Sequence, residues 1–180
     1  MKTKHKWTQS ASHILRWMHV FDSIDINKKI LDFGSGPGYS LFVGIPLGYD
    51  IVGLDVKGDF QEYLSLFKKL RKALGTDKHT ILYDTSKLPF EDKTFDIIIC
   101  KAVLTKTYHY IDNQEFKRIL KDDGIILVFP EKNLRIIKNI PEKNKGVLPW
   151  GDKKYKPSPS NKELYLELCL NAKERIEGMI

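Results

Sequence analysis

Ile30-Leu31-Asp32-Phe33-Gly34-Ser35-Gly36-Pro37-Gly38 decides the fold class of this chain. An apolar run ends in a carboxylate and then meets glycine at every second position. Such a backbone turns sharply and admits a bulky ligand, because glycine carries no Cβ. Lys29-Ile30-Leu31 reads as a short buried strand and Tyr39 to Ile45 as the start of a helix, so the glycines form a strand-to-helix turn at the carboxyl edge of a sheet. Open α/β sheets bind their ligands there. The spacing excludes the dinucleotide pattern G-x-G-x-x-G, which from Gly34 needs glycine where Tyr39 stands.

Two further strands end in acids. Asp50-Ile51-Val52-Gly53-Leu54-Asp55 places a carboxylate 17 residues beyond Gly38, and Thr80-Ile81-Leu82-Tyr83-Asp84-Thr85 supplies another. Aspartate is a common turn residue, which explains any one of these. Three in succession at one sheet edge point to a shared ligand. Leu88-Pro89-Phe90-Glu91-Asp92-Lys93-Thr94-Phe95-Asp96 then leads into a fourth strand, Ile97 to Cys100. Phe116 to Gly124 gives a helix and a turn at Asp122-Asp123-Gly124 before a fifth strand, Ile125 to Phe129. Strands alternating with helices imply right-handed crossovers, a mainly parallel sheet and the three-layer α/β/α class.

Asp32-x-Gly34-x-Gly36-x-Gly38, with the later acids, "LPF.D..FD" and "R.LK.GG.L"-like segments in the same order, resembles the class I, Rossmann-like S-adenosylmethionine-dependent methyltransferases over Ile30 to Phe129. The resemblance implies S-adenosylmethionine as cofactor and S-adenosylhomocysteine as product. It implies contacts from Asp32, Gly34, Ser35, Gly36, Gly38, Asp55, Val56, Asp84, Thr85 and Lys101. Asp32 offsets the cationic methionyl end, Asp55 accepts from the ribose hydroxyls, and Asp84 accepts from the adenine amino group. Relatives finish with an antiparallel pair, so a seven-stranded sheet with an antiparallel carboxyl-terminal edge is expected.

At 180 residues the chain reads as one domain: a helical cap over 1–28, a cofactor core over 29–130 and a carboxyl-terminal region over 131–180. No apolar run approaches the length of a membrane span, and the basic amino terminus lacks the apolar region of a secretory signal. A cytoplasmic protein is expected. Two cysteines, Cys100 and Cys169, make neither a disulfide framework nor a metal-ligand pattern. The formal charge of +7, from 30 Lys and Arg against 23 Asp and Glu, raises nucleic acid as a partner. Its clusters, among them Lys68, Lys69, Arg71 and Lys72 on one helix, read more simply as solvated faces.

Elsewhere, Ser10 or Ser12 is expected to cap a first helix with an apolar stripe of Ile14, Leu15, Met18 and Phe21. Phe60 to Leu74 reads as a helix stopped by Gly75. Glu131 to Ile140 looks helical. In the last segment Ser160-Asn161-Lys162-Glu163 fits a helical capping box, whereas Leu164, Leu166, Leu168 and Leu170 alternate as in a strand. A strand over Leu164 to Leu170 is the expectation adopted.

Methyl transfer from a sulfonium is an in-line displacement that depends chiefly on positioning. The donor side is therefore more legible than the acceptor side. The resemblance puts Cys100, Lys101, Thr105, Tyr108 and His109 on the acceptor side, with His109 the candidate general base. Cys100, in an apolar strand, reads as a core residue rather than a nucleophile. Trp7, Trp17 and Trp150 are candidates to close an acceptor pocket. No Asn-Pro-Pro-Tyr or Asp-Pro-Pro-Tyr follows the fourth strand, so the motif of nucleobase amine methylation is missing. A small-molecule acceptor is the first reading; RNA or another macromolecule, and a non-catalytic cofactor-binding partner role, are the alternatives.

Overall fold

The computed structural model describes residues 7–57, 61–84, 87–104, 113–150 and 155–179. Six parallel strands form one sheet in the order β3-β2-β1-β4-β5-β6. These are β1 (Lys29–Phe33), β2 (Asp50–Val56), β3 (Thr80–Tyr83), β4 (Phe95–Lys101), β5 (Leu120–Phe129) and β6 (Lys145–Val147). The order reverses between β1 and β4. That switch point leaves a crevice at the carboxyl ends of both strands.

Helices α1 (Trp7–Asp22), α2 (Tyr39–Gly44), α3 (Gln61–Leu74) and α5 (Pro159–Glu177) cover one face; α4 (Asn113–Ile119) covers the other. The alternation of β1 serves both layers: Ile30 joins the first core, Leu31 and Phe33 the second. On α1 the buried stripe is Ile14, Trp17, Met18 and Phe21, with Leu15 only half-buried. Ser10 and Ser12 lie inside this helix, which is already formed at Trp7, so neither caps it. Gly75 ends α3 in a left-handed conformation, φ 72°, as expected of a helix-stopping glycine.

Three expectations fail. First, the carboxyl-terminal segment is helix, not strand. Leu164, Leu168, Ala172 and Ile176 recur every fourth residue and pack toward α1 and α3, while Leu166 and Leu170 stand 52% and 61% exposed. The alternating leucines thus divide between two helix faces. This helix starts with Pro159 at its first turn after Ser158, so Ser160 and Glu163 are not its capping box. Second, β6 runs parallel to β5, pairing Ile126 with Lys145 and Val128 with Val147, and no antiparallel edge or seventh strand occurs among the described residues. Third, Glu131 to Ile140 carries only a 3-10 turn over Glu131–Arg135; Ile137 and Ile140 are buried in the second core.

The expected turn at Asp122-Asp123-Gly124 is a bulge within β5. Phe95 pairs with Leu120 but Ile97 with Ile125, so β5 spends three more residues than β4 over the same span. Asn144 holds the bulge, its Nδ2 donating to the carbonyl of Gly124 at 2.6 Å. No helix among the described residues is long and apolar enough to cross a membrane.

Candidate functional site

The carboxyl edge of β1 carries Asp32, Phe33 and the glycine turn. Backbone amides of Gly34 and Ser35 both donate to the Leu54 carbonyl of β2, at 2.8 and 3.1 Å, and the Gly38 amide donates to Ser35 at 2.9 Å. Gly34 and Gly38 have φ of 74° and 79°, and their missing Cβ atoms make room for the protein rather than for a ligand. A Cβ on Gly34 would lie 2.2 Å from Val103 Cγ2, and one on Gly38 2.5 Å from Thr76 Oγ1. At Gly36 the nearest atom would be Phe67 at an ordinary 3.4 Å. The Ser35 hydroxyl is buried and without a hydrogen-bond partner; a Cβ on Gly53 would lie 2.8 Å from it. That side chain therefore faces β2.

The three strand-end acids are not equivalent. Asp32 is 2% exposed, and its carboxylate accepts a short hydrogen bond from the Ser40 hydroxyl. Burial pushes its pKa up to about 6, against the pull of Ser40 and Lys101. Asp55 is also buried, but Arg71 Nη1 lies 2.8 Å from its Oδ2 and the Val56 amide donates to its Oδ1 at 2.9 Å. Burial still raises its pKa despite Arg71. Asp84 is exposed, and its carboxylate stands 3.6 Å from Lys57 Nζ.

Arg71 is the residue that the sequence reading misplaced. It is 5% exposed rather than part of a solvated face, and the same Nη1 also donates to the Gly36 carbonyl at 2.9 Å. Thr76, just beyond α3, donates to the Pro37 carbonyl at 3.2 Å. The end of α3 therefore straps the glycine turn to the tip of β2. Helical spacing held the signal: Arg71 follows Phe67 by four residues and precedes Leu74 by three, on the buried stripe.

At the tip of β4, Lys101 is largely buried, and burial lowers its pKa while Asp32 opposes that shift. Its Nζ lies 4.3 Å from the centre of the Trp150 indole, and Arg16 Cζ of α1 lies 5.7 Å from the same ring. His13 stacks on Tyr39 at 5.0 Å. Trp17 meets Trp150 edge-on at 5.0 Å, and both are buried. Cys100 is fully buried, with its thiol pKa raised by burial and by Asp32, which suits a core side chain and not a nucleophile. Thr85, Thr105, Tyr108 and His109 lie outside the described residues, as does the Trp7 side chain. No cluster of metal-ligating side chains occurs among the described residues.

A parallel sheet with a strapped glycine turn and a buried acid at its switch point has counterparts. The family described as "Methyltransferase domain" matches residues 31–128, more than half of the chain. The chain belongs to this methyltransferase-domain family. It is 30% identical over 105 residues to the uncharacterized methyltransferase YcgJ of Bacillus subtilis, covering 56% of this chain and 39% of that one. It is 28% identical over 116 residues to an uncharacterized protein of Methanocaldococcus jannaschii, covering 61% and 47%. The chain thus spans less than half the length of these curated relatives. Among solved structures, the PH0226 protein of Pyrococcus horikoshii superposes with a TM-score of 0.53 at 24% identity, covering 79% of this chain and 70% of that one, a likeness of fold.

Proposed function

We propose that this methyltransferase-domain chain binds S-adenosylmethionine at the carboxyl edge of β1 and β2 and transfers its methyl group to a small molecule. The observation that carries the reading is Asp32: a buried carboxylate, bonded only by one hydroxyl among its described hydrogen bonds, beside the glycine turn. A buried carboxylate short of partners is costly, and a ligand ammonium placed against it relieves that cost. When bound, the cofactor supplies a methyl group on a sulfonium and leaves as S-adenosylhomocysteine.

The residues present fit such a ligand. Asp32 faces its ammonium. Asp55, already accepting from Arg71 and from the Val56 and Gly36 amides, keeps one acceptor position, which suits a ribose hydroxyl. Gly36 turns the backbone at φ 55°, a conformation that favours glycine, so a branched residue there strains the turn. Val56 and Asp84 are assigned to the adenosine side, Thr85 is a further candidate contact, and Lys101 is assigned to the boundary between cofactor and acceptor. No catalytic base is assigned; His109 is the candidate for removing a proton from the acceptor.

A small acceptor is favoured because two members of the basic clusters are spent within the protein: Arg71 is buried on Asp55, and Lys145 lies 2.7 Å from Glu142. A cytoplasmic location belongs to the same proposal.

Calorimetric titration of the chain with S-adenosylhomocysteine tests the reading. Binding is expected, with affinity reduced at least about tenfold in Gly36→Val, whose fold is checked by circular dichroism. No heat and no thermal shift with either S-adenosylmethionine or S-adenosylhomocysteine overturns it.

A further inference from the structure

Arg16 and Lys101 come from different parts of the chain, α1 and the tip of β4, yet both converge on the Trp150 indole. Both are at least half-buried. None of the ion pairs among the described residues includes either of them. The ring face compensates a cation only modestly, and by less than desolvating an ion costs. Lys101 therefore stands between the attraction of one carboxylate, Asp32, and the repulsion of Arg16.

From this juxtaposition we infer that Arg16 and Lys101, over Trp150, form an anion site that selects an acceptor bearing a carboxylate or phosphate group. The inference rests on the methyl-transfer reading for the word acceptor, but the anion site itself does not depend on the cofactor. The place is suitable: the tip of β4 adjoins the switch-point crevice, and His13, stacked on Tyr39 and 5.9 Å from Trp150, continues the same wall from α1. Asp32 separates the two functions. It offers a negative charge toward the donor, while the cations beyond it offer a positive one toward the acceptor. An anionic acceptor completes the charge balance that the protein leaves open.

The test is an NMR titration that follows the indole N–H of Trp150, identified with Trp150→Phe. Benzoate, phenyl phosphate and benzamide are added separately to the chain alone and to the chain saturated with S-adenosylhomocysteine. A saturable shift is expected with benzoate or phenyl phosphate, at an affinity at least about tenfold above that of the neutral amide; which of the two binds more tightly tells carboxylate from phosphate. Arg16→Met is expected to weaken that binding about tenfold while S-adenosylhomocysteine still binds, and Arg16→Gln repeats the measurement if the first variant fails to fold. An equal response to benzamide, no saturable shift from either acid, or unchanged anion affinity in the folded Arg16 variant overturns the inference. Failure of S-adenosylhomocysteine to bind sinks the methyl-transfer reading alone, since the anion titration is also read on the chain without it.

Discussion

The two edges of the parallel sheet handle charge in opposite ways. At the amino edge Asp96 accepts from the Lys29 amide and from Lys121 Nζ, both at 2.9 Å, with Lys28 at 4.0 Å. Those partners outweigh its burial and hold its pKa below the usual carboxylate value. Arg118 beside it uses all five N–H donors: two on Glu115, one on Asp92, and one each on the carbonyls of Phe90 and Leu88. At the carboxyl edge Asp32 has a single hydroxyl, and Lys101 and Arg16 share one indole. Polar groups of the first edge are consumed in holding the chain together. Those of the second are left with capacity that a ligand can fill.

Arg71 breaks this division, since it is a buried cation at the carboxyl edge that is paired with a carboxylate and bonded to the Gly36 carbonyl. Removing it leaves Asp55 buried with no counter-charge and releases the Gly36 carbonyl. Loss of one partner of a buried pair costs about 3–5 kcal/mol. Arg71→Met is therefore expected to unfold at markedly lower denaturant, and Arg71→Met with Asp55→Asn to regain part of that loss by removing the stranded charge. Urea melts of the single and double variants measure both. A single variant as stable as the parent would show that the α3 strap does not hold the turn.

Arg118→Met probes the amino edge and sharpens the contrast. Leu88, Phe90 and Glu115 each lose a partner, but this site is part-exposed and water replaces some of the bonds, so a loss of about 2 kcal/mol is expected. Affinity of the folded fraction for S-adenosylhomocysteine should stay unchanged. Thermal melts with and without ligand check the two halves of that statement, and a drop in affinity would join the edges that the comparison separates.

The sequence was most informative where local pattern and tertiary need coincide. Ile30 to Gly38 reads correctly as strand, acid and turn because apolar run, carboxylate and glycines all serve one sheet edge. The "LPF.D..FD" and "R.LK" segments were legible as a resemblance, yet their physical meaning, Arg118 clamping the Leu88–Asp92 loop, emerges only from the folded contacts. Leu164 to Leu170 misled because alternate leucines satisfy a strand period, while the stripe that decides the helix continues to Ala172 and Ile176. The glycine spacing also serves a need that no local pattern shows: Gly34 and Gly38 accommodate Val103 and Thr76. Arg16 carried no local signal at all, since its partner Trp150 lies on the far side of the sheet sequence.

Asp32→Asn tests the carboxyl edge directly, and its two effects have opposite signs. With a folded pKa of about 6 against an ordinary 3.8, the folded chain binds more protons than the unfolded chain between those values. Asp32 therefore lowers stability as pH rises from about 4 to about 6, and its full penalty of about 3 kcal/mol persists at neutral pH. Asn keeps an oxygen for the Ser40 hydroxyl and carries no charge, so Asp32→Asn is expected to gain about 1–3 kcal/mol at pH 7 and to lose that advantage near pH 4. The ligand effect runs the other way. An ammonium prefers the ionised carboxylate, so affinity of the parent for S-adenosylhomocysteine should rise through pH 6 and then level, with a proton released on binding below that point. In Asp32→Asn the affinity should be weaker and flat over the same range. Calorimetry in buffers of different ionisation enthalpy counts the proton, and a parent whose affinity does not vary between pH 5 and 7 would mean that this carboxylate meets no cationic ligand group.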